Sequence, residues 1–210
     1  MMGKQPSPEP ITKKKLLAVE GNDEKIFFKE LFKYMGMDDI VQVFDVAGKD
    51  NFRKEMPLLK RATGFNDLEA IAIIRDADDS FENAFKSVIN VLEKIDDLQV
   101  PKKPGEFSQG NPKVGVFIMP DNSHPGMLED LCLQTVKDRK EMECVKQFLA
   151  CAKQLENPPK EKDIPKAQVQ TFLAVMPDVP NSVGRGAQKK LWNFDAAELK
   201  PLKDFLSQLK

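Results

Sequence analysis

The chain has 210 residues, with 32 Lys or Arg against 33 Asp or Glu, one His and three Cys. That length suits one domain with a full hydrophobic core, and the near-zero charge excludes a highly basic nucleic-acid coat, though not an enzyme whose charges are locally segregated. Three cysteines without CxxC spacing argue against a disulfide framework or a structural zinc, and no apolar run approaches the ~20 residues that cross a bilayer.

Residues 1–12, rich in Pro and polar side chains, are expected to form a disordered leader. They lack the apolar core of a signal peptide, so a cytoplasmic protein is expected. Leu16-Leu17-Ala18-Val19 then reads as a buried strand, closed by the turn Glu20-Gly21-Asn22-Asp23. Ile26, Phe27, Leu31, Phe32 and Met35 follow at helical spacing. A second unit pairs the strand Ile40–Phe44 and the turn Gly48-Lys49-Asp50 with a helix in which Pro57 belongs in the first turn or at a kink. The third strand, Ala70–Ile74, closes on Arg75-Asp76-Ala77-Asp78-Asp79-Ser80 and leads to an amphipathic helix over about 80–97. A Pro- and Gly-containing loop (98–112), a fourth strand from Val114 to Met119, the loop 120–126 and a helix over Met127–Lys137 complete the pattern.

Residues 138–156 read as a helix with Met142, Val145, Phe148, Leu149, Ala152 and Leu155 inward. A Pro- and Lys-rich connector, a helix over 166–176, the turn at Gly184-Arg185-Gly186 and a last helix to Lys210 follow. Alternating strands and helices predict an α/β fold with a mainly parallel four-stranded, Rossmann-like sheet flanked by helices over 13–137. Residues 138–210 are a helical extension on the same domain.

In such sheets ligands bind beyond the carboxyl ends of the strands. Here Glu20, Asp76 with Asp78, and Asp121 stand at three of those ends. In extended chain residues i and i+2 point the same way, so Asp76 and Asp78 are expected to face one point. Two carboxylates that close repel each other, and a divalent cation removes the conflict. The competing account is a turn and helix cap, with Asp79 or Ser80 capping the next helix.

The segment Leu17-Ala18-Val19-Glu20-Gly21-Asn22-Asp23, followed by Ile73-Ile74-Arg75-Asp76-Ala77-Asp78, resembles the TOPRIM domain. Topoisomerases, bacterial primases, ribosomal-RNA maturases and nucleases of the overcoming-lysogenisation-defect type share that domain. The resemblance covers about residues 14–136 and is nearest to small stand-alone TOPRIM-like proteins of unknown function. It implies a Mg²⁺ (or Mn²⁺) phosphodiester site, with Glu20 as acid/base or ligand and Asp76 and Asp78 as ligands. Glu24, four residues after Glu20, would serve a second metal, a role for which Asp23 competes. Tyr34, the lone tyrosine, lies on the first helix, and there is neither room for a primase's other domains nor a GxxxxGK[ST] loop. Hydrolysis by an isolated domain remains, or binding without catalysis.

Asp76-Ala77-Asp78-Asp79-Ser80 also resembles the nucleophile motif of haloacid-dehalogenase-like phosphatases, though after the third strand rather than the first. His124 either touches a phosphate or metal, or is an exposed turn residue. Glu129 is either a further metal arm or a favourable charge in a helix's first turn. Arg185, Lys189 and Lys190 beside Gly184 and Gly186 could hold phosphate through backbone N–H groups and charge, or the glycines simply make a turn. Cys132, Cys144 and Cys151 are expected in the core, and Trp192 and Phe194 to pack the last helix. Residues 160–210 carry nine Lys or Arg against six Asp or Glu, which places the acidic balance around the expected site. The sequence therefore points to a metal-dependent nuclease acting on DNA or RNA, without a membrane and with a homo-oligomer or partner protein left open. The alternatives are a non-catalytic metal- or nucleic-acid-binding module and a phosphatase.

Overall fold

A computed structural model describes residues 9–48 and 51–210. Four strands, β1 (Lys15–Val19), β2 (Val41–Asp45), β3 (Ala70–Asp76) and β4 (Lys113–Met119), pair in parallel in the order β2-β1-β3-β4. The expected fold class is therefore observed, and all four carboxyl ends lie on one edge of the sheet. β1 and β3 are the central neighbours, with Ala18 opposite Ile73. That register places Glu20 beside Arg75 and Asp76.

The helices are α1 (Asn22–Met35), α2 (Phe52–Leu59), α3 (Phe81–Leu92), α4 (Leu128–Thr135), α5 (Met142–Ala152), α6 (Ile164–Ala174), α7 (Val183–Gln188) and α8 (Lys200–Ser207). Strand residues alternate strictly between the two faces of the sheet, as the two-residue period of a strand requires. Leu17, Val19, Ala72, Ile74, Phe117 and Met119 face a thick layer made by α1 and α4–α8. Leu16, Ala18, Ile71, Ile73, Val116 and Ile118 face a thin layer made by α2 and α3. The C-terminal helices join the first core directly: Phe205 stacks on Phe107 at 5.0 Å and lies 5.4 Å from Phe117.

Several expectations are corrected. Residues 1–8 of the expected leader lie outside the described residues, as do Lys49 and Asp50 of the turn after β2. Ile11, also placed in the leader, is buried and its N–H donates to Thr63 O at 2.9 Å. Pro57 sits inside α2 rather than in its first turn, and the helix ends two residues later. The long helices expected over 80–97 and 138–156 shorten to α3 and α5.

Phe148 and Leu155 are 46% and 59% exposed, and Cys144 and Cys151 are exposed, whereas Cys132 is buried. The α5 segment carries apolar residues on most of its circumference, so spacing alone does not select the buried face. Packing against α6 selects Met142, Val145 and Ala152. Among the described residues no helix is long and apolar enough to cross a membrane.

Candidate functional site

The turn after β1 delivers two carboxylates. Glu20 leaves the strand end and its Oε1 accepts the Asp76 N–H at 3.2 Å. Glu24 lies in the first turn of α1, where negative charge suits the helix dipole. From β3, the Asp76 Oδ1 accepts the Leu128 N–H at 3.0 Å and so caps α4 across the sheet edge. Glu129 stands in the first turn of that helix. Glu20, Glu24, Asp76 and Glu129 are thus gathered where β1, β3 and the amino ends of α1 and α4 meet.

Their electrostatics follow from that crowding. Asp76 keeps a little surface but is enclosed by surrounding protein. Burial first, then the charges of Glu20, Glu129 and Glu24, push its carboxyl well above the usual Asp range. Glu24 is raised by burial and by Glu20, Asp23 and Glu129. Glu129 is raised by burial and by Asp130 and Asp23, with Lys166 acting against the shift.

The buried cation set against Glu20 is a residue that strand patterning passes over. Arg75 is 5% exposed, and its Nε lies 2.6 Å from Glu20 Oε1. The N–H is not aimed along that line, so Nε is buried close to a negative charge without a hydrogen bond. On the sheet's other face the guanidinium lies over the Phe52 ring, 5.6 Å from its centroid. The signal was available: one charged residue, Arg75, closes the apolar strand Ala70–Ile74 just before Asp76.

Asp78 does not follow Asp76. Its φ is +51°, in the left-handed region that Asp tolerates, so the extended-chain argument for a shared direction fails there. Its backbone is held instead by a two-bond bridge: Asp78 N–H to Gly126 O at 3.0 Å and Gly126 N–H to Asp78 O at 2.9 Å. Gly126 has φ +138°, and a Cβ there would meet Asp130 Oδ2 at 2.9 Å, so the bridge depends on glycine. Asp78 and Asp79 line a cleft of 530 Å³ with Asp130, Asp163, Lys162 and Lys166. Ser80, not Asp79, caps α3, accepting the Asn83 N–H at 3.2 Å.

The other expected residues have separate partners. Asp23 Oδ1 accepts the Ser182 hydroxyl at 2.5 Å and the Gly184 N–H at 2.8 Å, which clamps α7 to α1. A Cβ at Gly184 would sit 2.6 Å from Asp23 O, so this glycine serves close helix packing. The N–H groups of Gly184, Arg185 and Gly186 are all bonded within the protein, which removes the backbone cradle expected for a phosphate. The Arg185 side chain donates to Gln188 at 2.9 Å, Lys189 pairs with Asp178 at 2.9 Å, and Lys190 lines a separate cleft with Trp192 and Phe194. Asp121 and His124 pair with each other at 2.8 Å in the loop after β4, with His124 73% exposed.

The donor chemistry of the gathered cluster fits a hard divalent cation, which takes carboxylate oxygens and water. Among the described residues, no three His, Cys, Asp or Glu are grouped closely enough to hold a metal as they stand. Glu20 is drawn to Arg75, and one oxygen of Asp76 is engaged by α4.

Fold and cluster together define a parallel α/β protein with an acidic site on the carboxyl edge of its sheet. The chain belongs to the family described as Protein of unknown function (DUF3226), which matches over residues 14–210. Comparison with curated proteins finds no match. Among solved structures the chain is similar to the C-terminal region of the Xanthomonas campestris pv. campestris OLD protein, at 13% identity and TM-score 0.48, covering 95% of this chain and 97% of that one. It is also similar to the C-terminal region of the Burkholderia pseudomallei OLD protein, at 14% identity and TM-score 0.49, covering 95% and 100%.

Proposed function

We propose that this chain is a Mg²⁺- or Mn²⁺-dependent phosphodiester hydrolase of TOPRIM type, a cytoplasmic nuclease acting on DNA or RNA. In this reading residues 13–137 form the catalytic unit and 138–210 the helical extension that braces it. The observation that carries the reading is the convergence of Glu20, Glu24, Asp76 and Glu129, with the Asp76 carboxyl driven upward by its neighbours. Such a cluster is costly without a cation, and a cation there offsets its charge and polarises a phosphoryl oxygen. Glu20 and Asp76 would hold the ion, with Glu24 for a second, while Asp78, which lines the cleft with Asp79 and Asp130, stands outside this set.

The protein's own part begins with Glu20. Its Oε1 is fixed by Arg75 and the Asp76 N–H, which leaves Oε2 to take a proton from an attacking water. Asp76, tied to the amino end of α4, holds its carboxylate at a set position on the edge.

The test is cleavage of labelled single- and double-stranded DNA and RNA with Mg²⁺ or Mn²⁺. Glu20→Gln and Asp76→Asn should each lower the rate by about a hundredfold or more. Undiminished cleavage in both variants would remove the reading.

A second reading, a module that binds metal or nucleic acid without turnover, is favoured by the engagement of Glu20 with Arg75. Binding without cleavage by the wild type, under all four substrates and both metals, would select it.

A further inference from the structure

Helix α1 carries Lys25, Lys29 and Lys33 at intervals of four residues. Positions so spaced fall on one face of a helix. The opposite face buries Phe27, Phe28, Leu31 and Phe32, so Lys29 and Lys33 are held outward and Lys25 is partly covered at the groove's edge. These three side chains line one wall of a groove of 470 Å³. The other wall is the edge strand β2, with Lys13 beside it.

Glu9 and Asp38 also line the groove, so four cations face two anions and the surplus is positive. The existing pairs are surface pairs: Lys25 with Glu9 at 3.2 Å and Lys33 with Glu30 at 2.7 Å. Each pair keeps one well-exposed member, Glu9 in the first and Lys33 in the second, so solvent screens both and a polyanion can compete for the lysines. Lys29 makes no ion pair among the described residues.

Four helical residues rise about 6 Å, so the stripe runs about 12 Å. The stripe can therefore meet about three phosphates of one strand, one for each lysine. Its near end adjoins Glu24, at the amino end of the same helix.

We propose that the lysine face of α1, with Lys13 across the groove, is the track on which the phosphate backbone of a nucleic acid lies as it leaves the carboxylate cluster. The proposal rests on the nuclease reading only for its direction, and binding can be measured without catalysis.

The experiment is fluorescence anisotropy with labelled oligothymidylate of about 20 nucleotides, in chelator, against the full chain. The triple variant Lys25→Gln, Lys29→Gln, Lys33→Gln should bind about tenfold or more weakly at moderate salt. Its slope of log affinity against log salt should fall by about 2, the value for three lost contacts to a single strand. Lys29→Glu alone, at an exposed side chain, should move affinity in the same direction while circular dichroism stays unchanged. The control Lys146→Gln, Lys153→Gln, on α5 and just past its end, should leave binding as it was.

Unchanged affinity in the triple variant, or an equal loss in the control, overturns the track. Equal competition by polyglutamate also overturns it, because the groove would then serve acidic proteins. Loss of binding in the lysine variants with no cleavage by any form leaves the track standing and removes the nuclease reading. Cleavage dependent on Glu20 with unchanged binding in those variants does the reverse.

Discussion

Asp76 and Asp78 are two residues apart, yet they belong to two different carboxylate regions. The inner one gathers Asp76 with Glu20, Glu24 and Glu129 between the amino ends of α1 and α4. The outer one places Asp78, Asp79, Asp130 and Asp163 around an open cleft that also holds Lys162 and Lys166. In the inner region burial and repulsion raise the carboxyls of Asp76, Glu24 and Glu129, and a buried arginine stands against Glu20. In the outer region lysines stand among the acids. The difference teaches that charge count alone does not make a site: the inner cluster stores electrostatic tension that a ligand can relieve, and the outer cleft already has cations at hand.

The largest expected effect comes from removing the inner cation. Arg75→Met leaves Glu20 facing Asp76 without compensation, and should destabilise the fold by about 3 kcal/mol, read as a lower urea midpoint. A loss no greater than that of Lys162→Met in the outer cleft would erase the distinction between the regions.

The next effect is a dependence on pH. Asp76 has its folded-state pKa raised, so the folded protein binds more protons than the unfolded chain just above the ordinary Asp value of 3.8. The stability associated with that proton is present below this value and is lost as pH rises through the raised one. Asp76→Asn cannot titrate, so the variant should gain stability relative to the wild type as pH rises across this window. Thermal melts at a series of pH values check it. A wild type that gains stability relative to the variant as pH rises would contradict the sign, and Mg²⁺ should offset the wild type's loss by stabilising it alone.

The smallest effect lies in the outer region. Gly126→Ala forces a side chain into a positive φ and against Asp130, at about 1–3 kcal/mol. Hydrogen exchange should then rise at the Asp78 and Gly126 amides, while the inner Leu128 amide stays protected. Equal loosening at Leu128 would mean that the two regions open as one.

Much of this arrangement is legible in the sequence. Short apolar runs mark all four strands, because a strand covered on both faces has no polar side to show. The Glu20-Gly21 turn and the Asp76 strand end are found where the pattern places them. The losses have identifiable causes. The two-residue alternation that aims Asp76 stops at Asp78, where the backbone turns left-handed. Gly184-Arg185-Gly186 looks like a phosphate loop because glycine serves close packing and ligand approach alike. The role of Arg75 is not legible, because a charged residue closing an apolar strand finds its partner only in three dimensions. The outward face of α5 is not legible either, because Phe148 and Cys151 are apolar without being buried.

The clamp of Asp23 on Ser182 and Gly184 has a consequence for the order of folding. It joins residues 159 and 161 positions apart, and Lys15 Nζ reaches still further, to Lys210 O. Contacts of such high sequence separation cannot close while the chain is still emerging from the ribosome past its midpoint. The strands β1 to β4 can be synthesised and paired well before α7 exists. The helix end that carries Glu24 is fastened only after residues 182–184 have been made. A chain made only as far as β4 would therefore hold a sheet whose acidic edge is not yet secured by α7.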